Sequence, residues 1–322
     1  MIPPEELLNA LRREDRFSII THISPDGDGL GSALALAAAL DQAGKETAVY
    51  CRDAVPQQYR FLPRWDAFRP MDDVTDFQTL VLVDCNDLDR IGIAKGQAGN
   101  ITFRSSIVID HHESERPFGD IRWIEPHAAA TGMMIERLIP ALGLTINRDM
   151  ALSLYTAIIV DTGNFRYENT TGEVLTTAAR LVEAGAEPHL IAGEVFDSWT
   201  EGRFRLFIEV LGTLEIRDDV AFMTVTQDML RKTKTSVSDV ETFVSFPKIL
   251  RNVKTAVLLR EMDDGAYKVS LRSKNAVNVA KIAETLGGGG HKNAAGCKIR
   301  DDAATSRERL FQLIRSSARA PK

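Results

Sequence analysis

Apolar runs of strand length that stop on aspartate or histidine constrain this chain most. TLVLVDC (Thr79–Cys85) and SSIVIDHH (Ser105–His112) are almost continuously apolar up to those residues. Strands apolar on both sides are strands covered on both faces, as in parallel sheets. RFSIITHIS (Arg16–Ser24) and TAVYC (Thr47–Cys51) read as further strands. The Ala/Leu-rich stretch Gly29–Gly44 reads as a helix closed by its last glycine. Helical patterns follow at Thr131–Leu142, Asp149–Val160 and Gly172–Ala184. This alternation predicts an α/β domain whose mostly parallel sheet is flanked by helices.

At 322 residues the chain has the length of two domains. The first is expected over 1–186, and a polar helical connector over 187–211. From about Thr213 the pattern changes. VAFMTVT, TAVLLREM and AYKVSLRS read as antiparallel strands, with Asp263-Asp264-Gly265 as a hairpin turn. A glycine-rich segment and a last helix complete a smaller C-terminal α+β domain, 212–322.

No apolar run reaches 18 residues, so no membrane span is expected, and the N-terminus lacks an apolar signal core. Cys51, Cys85 and Cys297 are odd in number and widely spaced, which suits buried thiols in a reducing cytoplasm better than a disulfide framework. The net charge of −6 argues against a broad nucleic-acid-coating surface. Residues 1–211 hold 19 basic and 32 acidic residues, a balance of −13; residues 212–322 hold 20 and 13, a balance of +7. An acidic half suits divalent cations and a basic half suits phosphates.

Ligand sites in open parallel sheets form beyond the carboxyl ends of strands. The first strand leads into His22-Ile-Ser-Pro-Asp26-Gly-Asp28-Gly, another into Asp84, and a third into Asp110-His111-His112. The apolar run TAIIV ends in Asp161. Any one such aspartate is ordinarily a turn or cap residue, and Asp28 could cap the helix after it. Asp87 and Asp89 read as turn residues, and His127 and His189 as ordinary histidines. Convergence of four segments is harder to explain that way. Clustered carboxylates repel and raise one another's pKa unless a cation neutralises them. Mixed carboxylate and imidazole ligation suits Mn²⁺, with Mg²⁺ as a substitute. Two such ions can bind an attacking water and clamp a phosphoryl group.

These residues resemble the DHH phosphoesterase family, whose name matches Asp110-His111-His112. The other family motifs match His22-x-x-x-Asp26-x-Asp28-x-x-Gly31-Ser32, Asp84, and Asp161-Thr162-Gly163. The resemblance implies that His22 and Asp26 bind one metal ion and Asp28, His111 and Asp161 a second, with Asp84 bridging. It implies that Asp110 orients a ligand and that His112 faces the scissile phosphate. Leu286-Gly-Gly-Gly-Gly-His291-Lys292-Asn-Ala-Ala-Gly296 and Val269-Ser-Leu-Arg272-Ser273 resemble the DHH-associated C-terminal domain. Arg272, Ser273, Gly288, Gly289, Gly290 and His291 are therefore expected to hold substrate: glycines admit an anion to the backbone, and Arg272 and His291 add charge.

Within the family the chain looks like the oligoribonuclease and pAp-phosphatase branch. That implies metal-dependent hydrolysis of short RNA and of 3′-phosphoadenosine 5′-phosphate, in a cleft limiting substrate length. Hydrolysis of cyclic or linear signalling dinucleotides and RecJ-like single-strand exonuclease action are alternatives. A nucleotide-binding regulator is the non-enzyme alternative, disfavoured by the intact ligand set. A homodimer is expected from base rates alone.

Overall fold

The computed structural model describes residues 2–71, 77–92, 103–113, 118–274 and 277–319. Contacts divide the chain into two units, 1–198 and 199–322. The division falls inside 187–211, the stretch expected to be a connector.

The N-terminal unit runs α1 (Glu5–Arg13), β1 (Arg16–Ile20), α2 (Gly27–Gln42), β2 (Glu46–Tyr50), β3 (Phe68–Arg69), β4 (Phe77–Val83), β5 (Phe103–Asp110) and β6 (Ile121–Ile124). Four helices follow: α3 (Thr131–Ala141), α4 (Arg148–Asp161), α5 (Gly172–Glu183) and α6 (Pro188–Phe196). The strands form one sheet in the order β3-β2-β1-β4-β5-β6. Every pair is parallel. The chain builds outward from β1 to β3, then returns to lay β4 on the other side of β1. The carboxyl ends of β1 and β4 therefore flank the point where the winding reverses, where such sheets bind ligands.

Side chains alternate across each strand. Ile19, Val81, Val83, Ile107 and Ile109 point to one core, which α2, α3 and α4 complete. Ile20, Leu80, Leu82 and Val108 point to a second core on the opposite face, closed by Cys85 and Ile91. Burial on both faces is why these strands read as unbroken apolar runs. The helix α2 is buried along nearly its whole length, so it too is apolar all round rather than on one stripe.

Local boundaries differ from the sequence reading where polar chemistry takes over. The first strand stops at Ile20, leaving His22 in the loop beyond it. The helix α2 starts two residues early, and Asp26, not Asp28, caps it. Asp26 Oδ1 accepts from the backbone N–H of Asp28 (3.0 Å) and Gly29 (3.1 Å), satisfying two donors that a helix start leaves open. The strands β3 and β6 are only two and four residues long and carry little periodic signal, whereas α1 does carry one, since Leu7, Leu8, Ala10 and Leu11 form its buried face, and it went unread beside its charged residues. Asp87 caps a short 3₁₀ turn by accepting from Asp89 N–H, and His127 and His189 are exposed, all as expected. The three cysteines are buried free thiols.

The C-terminal unit holds α7 (Glu201–Leu211), β7 (Glu215–Arg217), β8 (Val220–Val225), α8 (Gln227–Thr233), β9 (Thr255–Glu261), β10 (Tyr267–Ser273), α9 (Val279–Thr285), β11 (Gly289–His291), β12 (Ala294–Ile299) and α10 (Ala303–Arg319). Its sheet has the order β11-β12-β10-β9-β8-β7. One expectation fails here. The strand VAFMTVT was read as antiparallel, but β8 pairs with β9 in parallel. A long crossover through α8 and two 3₁₀ stretches separates the two, and such a crossover returns the chain in the same direction. The fully buried pattern of β8 is the matching signal. The other pairs are antiparallel.

Candidate metal centre

Loops leaving three adjacent strands, with the ends of two helices, bring the predicted ligands of the N-terminal unit together. His22 follows β1, Asp84 follows β4, and His111 and His112 follow β5. Asp26 and Asp28 lie at the start of α2, and Asp161 is the last residue of α4. His22, Asp26 and Asp84 each place a ligand atom within 4.8 Å of the others. Asp28, His111 and Asp161 do the same, as do Asp84, His111 and His112. Asp84 is thus shared between groups.

Both histidines are set by backbone carbonyls. His22 Nδ1 lies 2.8 Å from Ile23 O, and His111 Nδ1 lies 3.0 Å from Ala128 O. A carbonyl only accepts, so each Nδ1 donates its hydrogen and each Nε2 faces the cluster, where the neutral imidazole would offer its lone pair to a cation. His22 Nε2 lies 3.3 Å from Asp84 Oδ2 and 3.7 Å from Asp26 Oδ1. His111 Nε2 lies 3.2 Å from Asp161 Oδ2, 3.6 Å from Asp84 Oδ1 and 3.7 Å from Asp28 Oδ2. Both Nε2 atoms are buried without a hydrogen-bond partner. Buried polar atoms are normally satisfied. Two orphaned imidazole nitrogens, each facing carboxylate oxygens, fit divalent cations between them.

The electrostatics say the same. Burial opposes charge on His22, but Asp26 and Asp84 outweigh it and raise its pKa to about 11. Burial likewise opposes charge on His111, and Asp161, Asp28 and Asp84 raise it to about 11. Burial works against ionisation of Asp84, yet His22, His111 and His112 hold its carboxyl below the usual range. Burial, then Asp84 and Asp161, push Asp28 well above that range. Burial lifts Asp161 to about 6 against the pull of His111. Four carboxylates thus share too little positive charge, and protons make up the deficit. A cation pair supplies it better.

Further residues fix the candidate ligands. Asp28 accepts from Thr131 N–H (2.7 Å), Gly132 N–H (2.9 Å) and Ser32 Oγ (3.1 Å). Thr131 Oγ1 donates to Asp84 Oδ1 at 2.9 Å. Asp84 itself has φ of +63°, a left-handed backbone that costs most side chains energy and concentrates at functional sites. Asp110 is fully buried and accepts from His112 N–H (3.1 Å), His112 Nδ1 (2.8 Å) and Asn86 Nδ2 (2.6 Å). Asn86 also donates to His112 O. Asn169 ties the far side by donating to Asp161 O and Ala129 O. Thr131, Asn86 and Asn169 were not picked out from sequence. Only the nearness of Asn86 to Asp84 hints at it; the other two meet the site through folding alone.

In the C-terminal unit, Arg272 is half-buried and pairs in register with Ala256 and Ala294. Ser273 is buried, and its Oγ accepts from Val277 N–H. Gly289, Gly290 and His291 form β11 at the sheet edge, with His291 opposite Ala294 in register. The His291 side chain lies outside the described residues. A Cβ on Gly288 would sit 2.1 Å from Gly296 O, and one on Gly290, at φ +142°, would sit 2.5 Å from Ala294 O. Close approach to β12 therefore demands these two glycines. A Cβ on Gly289 meets nothing within 4 Å.

A parallel sheet with a histidine and carboxylate cluster at its winding reversal, followed by a mixed-sheet unit, defines a two-unit α/β hydrolase. The chain belongs to the DHH phosphoesterase family. Its residues 16–158 match the DHH family N-terminal domain, and 219–320 match the DHHA1 domain. It is 34% identical to the bifunctional oligoribonuclease and PAP phosphatase NrnA of Thermus thermophilus, over 96% of this chain and 92% of that one. The NrnA of Bacillus subtilis is 27% identical, over 91% and 92%. An exopolyphosphatase-related protein from Bacteroides fragilis superposes with a TM-score of 0.91 at 27% identity, covering 97% of this chain and 95% of that one. RecJ of Thermus thermophilus, solved with Mn²⁺, has a TM-score of 0.55 at 16% identity, covering 98% of this chain and 54% of RecJ. That last likeness is one of fold. No helix among the described residues is long and apolar enough to cross a membrane.

Proposed function

We propose that the chain hydrolyses short oligoribonucleotides and 3′-phosphoadenosine 5′-phosphate at a dinuclear metal centre. The observation that carries this reading is the pair of buried, unpartnered Nε2 atoms on His22 and His111, which approach opposite oxygens of Asp84. His22, Asp26 and Asp84 would hold one ion, and Asp28, His111, Asp161 and Asp84 the other. Two divalent cations, Mn²⁺ with Mg²⁺ as a substitute, would lower the pKa of bound water and neutralise charge on the phosphoryl group. The substrates named for the NrnA relatives support the choice of short RNA and PAP.

The chain's own chemistry centres on Asp110 and His112. Hydrolysis moves a phosphoryl group to water, and the departing oxygen needs a proton. Asp110 accepts from His112 Nδ1, which fixes the tautomer and leaves Nε2 as the proton-handling atom. The His112 side chain is 23% exposed, so a substrate can reach it. His112 would either donate to the leaving oxygen or stabilise its charge. Arg272, Ser273, Gly288, Gly289, Gly290 and His291 are proposed as substrate-binding residues of the C-terminal unit.

Turnover of purified protein with Mn²⁺ tests this reading. Di- to pentaribonucleotides, PAP, a cyclic dinucleotide and a long single strand would be compared, with EDTA controls. EDTA-sensitive loss of the short RNAs and PAP is expected. A preference for the cyclic dinucleotide or long strand would replace it, and no turnover at all would favour a binding protein.

A further inference from the structure

Buried threonines of the N-terminal unit bond their hydroxyls to the protein. Thr79 Oγ1 accepts from Ser105 Oγ, and Thr177 Oγ1 from Arg180 Nη2. Thr131 Oγ1 donates to Asp84, Thr156 Oγ1 to Leu152 O and Thr162 Oγ1 to Ile158 O. Thr21 departs from this pattern. It is fully buried, and its Oγ1 has no hydrogen-bond partner among the described residues. A buried hydroxyl without a partner destabilises the fold, and valine would fill the same volume without that cost.

The surroundings of Thr21 show what the hydroxyl is beside. Thr21 follows β1, and its backbone N–H donates to Tyr50 O at 3.3 Å. Alternation along the strand puts it on the side of Phe17 and Ile19, which pack toward α2. Gly29, in the first turn of α2, comes up against it. A Cβ on Gly29 would lie 2.2 Å from Thr21 Oγ1 and 3.1 Å from His22 Nε2. The Gly29 N–H donates to Asp26 Oδ1. One glycine thus adjoins the hydroxyl, the imidazole nitrogen and the carboxylate. Thr21 Oγ1 joins His22 Nε2 and His111 Nε2 as an unpartnered buried atom of this region. The two nitrogens face carboxylates, which suits a cation. A hydroxyl beside them suits an oxygen that the cation carries, and small divalent cations keep water among their ligands.

We propose that Thr21 Oγ1 donates a hydrogen bond to a water held at the His22, Asp26 and Asp84 group, and so positions that water for attack on the phosphoryl group. Thr21 is a positioning residue: it moves no proton and binds no cation. The hydrogen bond stands on the geometry of Thr21, His22 and Gly29; the use made of the water rests on the phosphoesterase reading.

Thr21→Val keeps the shape and removes the hydroxyl, and Thr21→Ser keeps the hydroxyl. Three quantities test the proposal on the full chain: Mn²⁺ bound per chain, Tm in EDTA and in saturating Mn²⁺, and steady-state turnover of PAP. Thr21→Val should bind as many ions as wild type. Its rise in Tm on adding Mn²⁺ should be smaller than that of wild type by about 2–4 °C. Its kcat should fall about 10- to 100-fold, with KM changed less than about threefold. Thr21→Ser should restore both the Tm rise and most of kcat. An equal Tm rise in wild type and Thr21→Val overturns the proposal, since the hydroxyl then serves the protein alone. Loss of an ion in Thr21→Val, or a serine variant as slow as the valine one, also overturns it. A wild-type chain that turns over PAP no faster than Thr21→Val removes only the role of Thr21. A wild-type chain that hydrolyses nothing removes the phosphoesterase reading, and the Tm difference then decides the hydrogen bond by itself.

Discussion

His22 Nε2 and His111 Nε2 approach the two different carboxylate oxygens of Asp84, at 3.3 Å from Oδ2 and 3.6 Å from Oδ1. One aspartate therefore serves two ligand groups. Because its φ is +63°, asparagine is the replacement that removes the charge without adding backbone strain. Asp84→Asn should lower kcat/KM by about a thousandfold or more, roughly 4 kcal/mol of barrier, while the purified protein stays folded. Circular dichroism alongside turnover checks both halves of that expectation.

In the proposed scheme Asp110 acts through His112, which it contacts at Nδ1, so their effects should not add. His112→Ala should cost about 10²- to 10⁴-fold in kcat. Asp110→Asn should cost about 10- to 100-fold, with little change in KM. The double variant should resemble His112→Ala alone. Multiplying losses in steady-state kinetics would show that Asp110 has a separate role.

The metal-free cluster makes stability depend on pH. His22 and His111, raised to about 11, stabilise the fold fully below their unfolded value of about 6.5 and lose that as pH rises toward 11. Asp161, raised to about 6, likewise loses its contribution as pH rises through that value. Asp84, held low, acts oppositely and is lost only in acid, as pH falls below the usual carboxylate range. From pH 6 to 9 the EDTA-treated protein should therefore lose Tm. Mn²⁺ needs the neutral imidazoles, so its affinity should rise over the same range. Scanning calorimetry with and without Mn²⁺ should show the Tm gap widening with pH; a constant gap would contradict the ligand roles of both histidines.

The glycine-rich segment separates packing from binding. Gly288→Ala puts a Cβ 2.1 Å from Gly296 O and should cost about 1–3 kcal/mol, as overpacking does. Gly289→Ala meets nothing and should change stability by less than about 0.5 kcal/mol. If the backbone at Gly289 holds substrate phosphate, that variant should raise KM at unchanged Tm. Thermal melts and Michaelis kinetics on the two variants decide it.

The candidate site was legible because its proposed ligands end apolar strands, where composition changes abruptly from Ile and Val to Asp and His. Asp161 was found the same way at the end of a helix. The residues that hold the ligands were not legible. Thr131 lies 47 residues from the Asp84 it bonds, and Asn169 is 40 from Ala129. The parallel pairing of β8 with β9 was missed because its crossover is built from short, weakly periodic turns. The left-handed backbone of Asp84 has no sequence signal, since aspartate enters that region without help from glycine. Gly288 and Gly290 illustrate a different limit: a glycine run tells where the backbone comes close, but not whether to a ligand or to its own sheet.

Counting Mn²⁺ per chain by equilibrium dialysis, in wild type and Asp84→Asn with turnover of PAP measured on the same samples, tests the dinuclear centre most directly. Two ions per wild-type chain, with fewer ions and nearly all turnover lost in Asp84→Asn, is the expected result. A single ion in the active wild-type protein, or an Asp84→Asn chain that keeps its turnover, would contradict it.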